Sequence, residues 1–406
     1  MSPFLQLILL ISILLLAAKT AGYLISLTKQ PTVLGELLIG LILGPTVLNI
    51  VHLPVFEDPL LEETIHHLAE IGVLLLMFVA GLELHLSELA RNTKVSAYAG
   101  VLGVIFPVGM GYGVGLFFNF EPAAALFLGL TLGATSVSIS AQTLMEMRVL
   151  RSRVGLGLLG AAVFDDILVI LFLSAFLALS QGGGGLGDVA WIFVRMLFFF
   201  VLSAIFGLWL LPRLTRLVSR LPISQGVLTL ALVILCFYAI AAEIVGGMAA
   251  ITGSFLAGLM FARTPEKERI ERGVGAISYG FFVPIFFVNI GLSVNARELD
   301  AEIFWLLLAI LFVAVMGKWL GAGLGAWKAG FTRREASQLG AGMISRGEVG
   351  LILASVGMRQ SLITQREFSA IIGMVLISTL ITPPLLRYLF TEPKPRPVVK
   401  TKSTSE

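Results

Sequence analysis

Apolar runs of about membrane length, separated by short polar breaks, recur along almost the whole chain. A bilayer core takes about 20 apolar residues per helical span. Read on that scale, the pattern predicts spans near 5–27, 33–50, 66–84, 95–118, 122–145, 154–179, 189–211, 223–243, 246–262, 273–292, 303–327, 336–357 and 367–390. The expected fold class is an all-α polytopic membrane protein with about 13 transmembrane helices. Two spans lack helix formers at their centres, "LGATSVSISAQ" (132–142) and "GAGMISRGEVG" (340–350), where Gly, Ser and Thr crowd in place of Leu and Val. Non-helical backbone at membrane depth is tolerated only inside protein or along a cavity. Interrupted spans at corresponding places in two halves point to a substrate site.

Composition agrees: 57% of the 406 residues are hydrophobic, 13% are charged and the mean hydropathy is +0.96, whereas a soluble domain carries about 25% charged residues. No second domain is visible, so residues 1–392 read as one transmembrane unit and 393–406, rich in Pro and Lys, as a disordered tail. The "QGGGG" stretch (181–185) reads as a flexible connection. The first segment lacks the basic start and small-residue cleavage site of a signal peptide and counts as a span, with Lys19 placed to snorkel to an interface. The one cysteine, Cys236, excludes an intramolecular disulfide and reads as a buried structural thiol.

The net charge of +3 gains meaning only from where the charges fall. Alternate loops and the tail hold 21 of the 28 basic residues, among them Arg148, Arg151 and Arg153, Arg213, Arg216 and Arg220, and Arg263, Lys267, Arg269 and Arg272. The intervening loops hold Arg297, Arg359 and Arg366. Because basic residues collect on the cytoplasmic side, this predicts an inner-membrane protein with its N-terminus outside and its C-terminus in the cytoplasm, and gives no reason to expect a nucleic-acid partner. Spans four to six then begin at the inner face and spans eleven to thirteen at the outer. An interrupted span lies in the middle of each trio, the layout of an inverted repeat.

Charges inside the spans carry the chemistry. "GAAVFDDILVILFL" (160–173) places Asp165 and Asp166 together in an apolar run, Lys318 lies in "AVMGKWLGAG", and Arg346 and Glu348 lie in the second broken span. Each such charge costs about 2.5–3.5 kcal/mol at a helix centre. Adjacent helical residues point about 100° apart, so the two aspartates should meet different partners. If Arg346 neutralises Glu348 and Lys318 one aspartate, a carboxylate remains beside Thr135, Ser136, Ser138 and freed backbone carbonyls. That is a site for a small hard cation or a proton, and competition for it is exchange. Taken alone, the hydroxyls read as helix-packing groups. Glu243 and Arg195 lie near span ends and read as interfacial, and His52, His66, His67 and His85 read as solvated. Two enzyme signatures fail. "GLGLLG" (155–160) matches a dinucleotide motif but follows no strand, and "GLGD" (185–188), a string of intramembrane aspartyl proteases, follows the polyglycine of an outer loop and has no "YD" partner.

Five strings, "ATSVSISAQTL" (134–144), "LGAAVFDDILVIL" (159–171), "FFVPIFFVNIGLSV" (281–294), "MGKWLGAGLGAW" (316–327) and "SRGEVGLILA" (345–354), together resemble the monovalent cation:proton antiporter family 2, closest to its NapA-type bacterial sodium/proton antiporters. The resemblance implies a homodimer in membrane lipid, with two crossed discontinuous helices and a core at about 94–180 and 303–391. The remaining spans would form a dimerisation part and a linker. It implies that Asp166 binds Na+ and protons, that Asp165 partners Lys318, and that Thr135 and Ser136 line the site while Arg346 and Glu348 are structural. No cofactor is implied, only transported Na+ (or Li+ or K+) and H+. Kef-type potassium efflux proteins are similar too, but they carry Gln at the position of Asp165 and a nucleotide-binding domain, and this chain has neither. The expected function is electrogenic sodium(lithium)/proton antiport by alternating access. The alternatives are potassium/proton antiport or Kef-like efflux and, more remotely, a cation channel or a sensor.

Overall fold

The structure is a computed structural model that describes residues 1–28, 30–83, 92–180, 186–293, 297 and 301–391. The glycine stretch 181–185, His85, the tail 393–406 and the side chain of Glu348 lie outside the described residues. The described residues form α1 (Pro3–Leu27), α2 (Thr32–Leu43), α3 (Leu61–Leu82), α4 (Thr93–Phe117), α5 (Pro122–Gly133), α6 (Val137–Glu146), α7 (Arg153–Ser180), α8 (Leu186–Ile205), α9 (Leu211–Ser219), α10 (Gly226–Ile244), α11 (Ala250–Phe261), α12 (Lys267–Ile277), α13 (Val283–Leu292), α14 (Ala301–Lys328), α15 (Arg333–Gly342), α16 (Glu348–Arg359) and α17 (Gln365–Phe390). Five-residue π turns join α8 to α9 and α12 to α13.

Ten of these helices or helix pairs are long and apolar enough to cross a membrane, and α2 and α11 are shorter apolar helices. With the broken pair α15 and α16, the passages agree with the count expected from the sequence. Some boundaries differ. The span expected over 33–50 stops at Leu43, because Pro45 holds Gly44 in an extended conformation (ψ −175°) that cannot continue a helix. Starts are fixed by side chains: Thr332 with Glu335 and Thr364 with Glu367 form capping boxes that open α15 and α17.

The helices pack in two groups. α4 to α7 pack with α14 to α17, while α1 to α3 pack with α10 to α13, and α8 leans on α7 and α10. Small residues set the closest approaches: a Cβ on Gly81 of α3 or Gly258 of α11 would collide with the carbonyl of Phe255 or Phe78 opposite. Trp191, Trp209, Trp305 and Trp327 are exposed on the outer surface of the bundle, as expected of residues at a membrane interface.

The two broken helices meet at their breaks. Ala134 to Ser136 leave the helix between α5 and α6, and 344–347 do so between α15 and α16. The Ser136 N–H donates to the Ser345 carbonyl at 2.9 Å, and Ser345 Oγ returns a bond to the Ser136 carbonyl at 2.6 Å. Ser140 Oγ donates to the Gly342 carbonyl at 2.6 Å. Backbone groups that a helix would have used internally are thus satisfied by the opposite break.

Two readings need correction. Cys236 is exposed on the outward face of α10 rather than buried, since an apolar run in a membrane helix can face lipid as readily as protein. Lys19, expected only to snorkel, also pairs at 3.5 Å with Glu36, a buried acid in α2 to which the sequence reading gave no role.

A carboxylate also joins the two groups. Glu146, the last residue of α6, accepts from the Thr32 N–H and Oγ1, both at 2.6 Å, at the first turn of α2, and from Gln142 Nε2 at 2.9 Å. A hydrogen bond to a charged group contributes about 1.5–3 kcal/mol. Glu146→Ala should therefore lower the melting temperature of the detergent-solubilised protein by several degrees. An unchanged melting temperature would show that this bracket does not hold α6 to α2.

Candidate functional site

Both aspartates lie midway along α7, and helix geometry separates them as expected. Asp165 is fully buried and pairs with the equally buried Lys318 of α14. Asp166 points to another side, toward α11, where the Thr252 hydroxyl donates to its Oδ2 at 3.0 Å. Beside it is a cavity of about 10 Å³ whose lining includes Met77, Val137, Thr252 and Phe255. The lysine therefore compensates one carboxylate, while the neighbouring one faces a small apolar-walled space.

Thr135 and Ser136 lie at the break between α5 and α6, both buried. Ser136 Oγ bonds Ser138 Oγ at 2.9 Å. Thr135 Oγ1 and Asp165 Oδ2 neighbour each other without reaching hydrogen-bond geometry, and neither has another partner among the described residues. A buried oxygen left unmatched costs about 1–3 kcal/mol, a cost that a bound cation or proton removes. The donor set is hydroxyl and carboxylate oxygen, which suits a small hard cation. Among the described residues, no three His, Cys, Asp or Glu side chains gather as they would around a transition metal.

Arg346 is fully buried in the second break, and its charge is answered by carbonyls. Its Nη1 donates to Met343 and Ile344 at 3.2 and 3.0 Å, and its Nη2 to Leu132 and Ala314 at 2.7 and 3.2 Å. Leu132 and the pair Met343 and Ile344 close the first halves of the two broken helices, whose C-terminal ends carry partial negative charge. The guanidinium thus takes the Ile344 carbonyl and those just before the breaks, while Ser136 and Ser345 satisfy each other's. The expected Arg346–Glu348 pairing lies outside the described residues, because the Glu348 side chain does. Thr379 of α17 donates to the Arg346 carbonyl and ties the break to the bundle.

Sequence reasoning missed Thr252, Ser345 and Thr379. Hydroxyls in apolar helices usually bond their own backbone or pack against neighbours, so nothing in "AAITGSF" (249–255) marks Thr252 as different. Arg195, read as interfacial, caps the end of α10 through the Val245 and Ile244 carbonyls. His52 and His66 line a separate cavity of about 340 Å³ that shares no residue with the one beside Asp166.

Comparison with known proteins gives a consistent picture. Residues 11–391 match the family model described as "Sodium/hydrogen exchanger, transmembrane". The chain is 40% identical to the Na(+)/H(+)-K(+) antiporter GerN of Bacillus cereus over 94% of its own length and 95% of that protein's. It is 36% identical to a Na(+)/H(+) antiporter of Enterococcus hirae over 92% of this chain and 96% of that one. Among solved structures, the sodium proton antiporter MjNhaP1 of Methanocaldococcus jannaschii shares the fold with a TM-score of 0.64 at 17% identity, covering 94% of this chain and 96% of that one.

The buried pair yields a direct test. Removing one partner of a buried ion pair costs about 3–5 kcal/mol, so Asp165→Asn and Lys318→Met should each destabilise the solubilised protein. The double variant should recover most of the loss. Strictly additive losses in this cycle would mean that the two side chains do not depend on each other.

Proposed function

The chain belongs to the transmembrane sodium/hydrogen exchanger family, and from that premise we propose that it is an electrogenic sodium(lithium)/proton antiporter working by alternating access. Cation/proton antiport is the activity of the family. The finer reading rests chiefly on one observation: a buried Lys318–Asp165 pair adjoins a second carboxylate, Asp166, that faces a cavity. In this scheme Asp166 is the carboxylate for which sodium and protons compete. Thr135 Oγ1 and the unmatched Asp165 Oδ2 supply further oxygens.

Sodium entering from the cytoplasm displaces a proton from Asp166 and draws Asp165 toward itself. Lys318 then loses its counter-ion in a low-dielectric site and sheds a second proton. About two protons exchanged per sodium move one net charge per cycle, which couples turnover to voltage at about 2.3 kcal/mol per 100 mV. Arg346 stays on its carbonyls throughout and takes no part in proton traffic. The group of α4 to α7 and α14 to α17 acts as the moving core. The group of α1 to α3 and α10 to α13 acts as the scaffold through which two copies pair, and the basic-rich loops face the cytoplasm.

Potassium forms a second reading, favoured by the name of the Bacillus cereus relative, a Na(+)/H(+)-K(+) antiporter. Both readings use the same residues and differ only in the ion that Asp166 accepts.

In everted vesicles, added sodium or lithium should dissipate a preformed proton gradient, with potassium run in parallel to separate the two readings. Asp166→Asn should abolish the response to every ion, and retained exchange would remove Asp166 from the scheme. Lys318→Gln should leave exchange that no longer responds to imposed voltage. Unchanged voltage dependence would take the lysine out of the coupling.

A further inference from the structure

Thr252 reaches the site from outside the helix group that carries the rest of it. It sits on α11, whose main neighbours are α3 and α10, and it is 4% exposed. Its hydroxyl donates to Asp166 Oδ2 at 3.0 Å. Two features hold α11 to α3 rather than to α7. Gly81 and Gly258 let the two backbones touch, and Ser254, two residues beyond Thr252, donates to the Leu74 carbonyl of α3 at 2.6 Å. The position of the hydroxyl is therefore set by the scaffold group, and that of the carboxylate by the other.

The cavity they share is about 10 Å³, close to the least room that one water needs. Asp166 and Thr252 bring the polar side chains of its lining, and the rest is apolar, including Met77, Val137, Ile251 and Phe255. A hydroxyl has one proton to donate and two lone pairs to offer. Rotation about its C–O bond converts it from a donor to the carboxylate into a ligand for a cation bound to that carboxylate, with no movement of the backbone.

Resting on the reading of Asp166 as the exchange carboxylate, we propose that Thr252 is an oxygen ligand of the transported cation, contributed across the boundary between the two helix groups. The site is then complete only when α7 and α11 stand in register. Displacement of one group along the other strips a ligand from the ion, so affinity falls as the ion is delivered. A ligand shifts a conformational equilibrium only through such a difference in affinity between states.

The test uses the full-length protein in proteoliposomes, with sodium-dependent exchange measured at fixed pH for Thr252→Val, Thr252→Ser and Asp166→Asn. Thr252→Val keeps the side-chain shape and removes the oxygen; it should raise the apparent sodium constant about tenfold, equivalent to ~1.4 kcal/mol. Thr252→Ser restores a hydroxyl and should return the constant to near its original value. A sodium constant that is unchanged or lower in Thr252→Val, or a serine variant that behaves like valine, overturns the proposal. A hydroxyl that merely tethered Asp166 would compete with sodium, and its loss would lower the constant. Direct sodium binding, followed by sodium-dependent thermal stabilisation of the purified variants, separates weak binding from misfolding. If Asp166→Asn still exchanges sodium, the reading of the site fails; if it is inactive and Thr252→Val binds sodium normally, only the role of Thr252 fails.

Discussion

Backbone that leaves the helix at membrane depth must find hydrogen bonds inside the protein, because hydrocarbon supplies none. Two such breaks lie back to back here, and their mutual satisfaction organises the bundle. Ser136 and Ser345 exchange backbone and hydroxyl bonds across the junction, and the Arg346 guanidinium gathers the carbonyls that close α5 and α15. A buried arginine is costly by itself, but here its charge offsets two helix ends aimed at one point. Thr379 locks the arrangement from α17. The two breaks thus brace each other at the point where Thr135 and Ser136 sit, both buried.

The division of labour between the two aspartates follows from that placement. The turn of about 100° between neighbours on a helix lets one stretch of α7 present a carboxylate to Lys318 and another to the boundary with α11. Asp165 pairs with Lys318 and Asp166 accepts from Thr252; in the proposed scheme the first holds the lysine's charge and the second is where sodium and protons compete. Voltage-coupled exchange, as proposed, asks more than one acid alone can do. A single carboxylate can trade one proton for one cation, and in the proposed scheme the lysine supplies the second proton.

Much of this was legible in the chain itself. Charges in an apolar run are costly enough to stand out, so Asp165, Asp166, Lys318 and Arg346 announce themselves, and clusters of Gly, Ser and Thr mark both breaks. Their partners were less legible. The pairing of Lys318 with Asp165 followed from family resemblance, and in the structure the two side chains form a buried ion pair. The expectation that Arg346 neutralises Glu348 rested on counting charges; what counting does not show is that backbone carbonyls at helix ends also surround the guanidinium. Thr252 left no mark, because a threonine in a short apolar helix acquires meaning only from what the opposite helix brings to it. Glu36 was overlooked for a different reason: it lies close to the basic-rich end of α2, where its pairing with Lys19 of α1 needs tertiary structure to be seen. Cys236 shows the general limit, since hydropathy separates membrane from water but not the inside of the bundle from lipid.

The central claim is that the Lys318–Asp165 pair beside Asp166 yields a second proton for every cation carried. The most direct measurement is the stall point of the purified protein in liposomes, with sodium and proton gradients clamped and the membrane voltage varied until net sodium flux stops. One net charge per sodium predicts a stall point that moves in proportion to the imposed voltage. A stall point indifferent to voltage would mean one proton per sodium and would contradict the account.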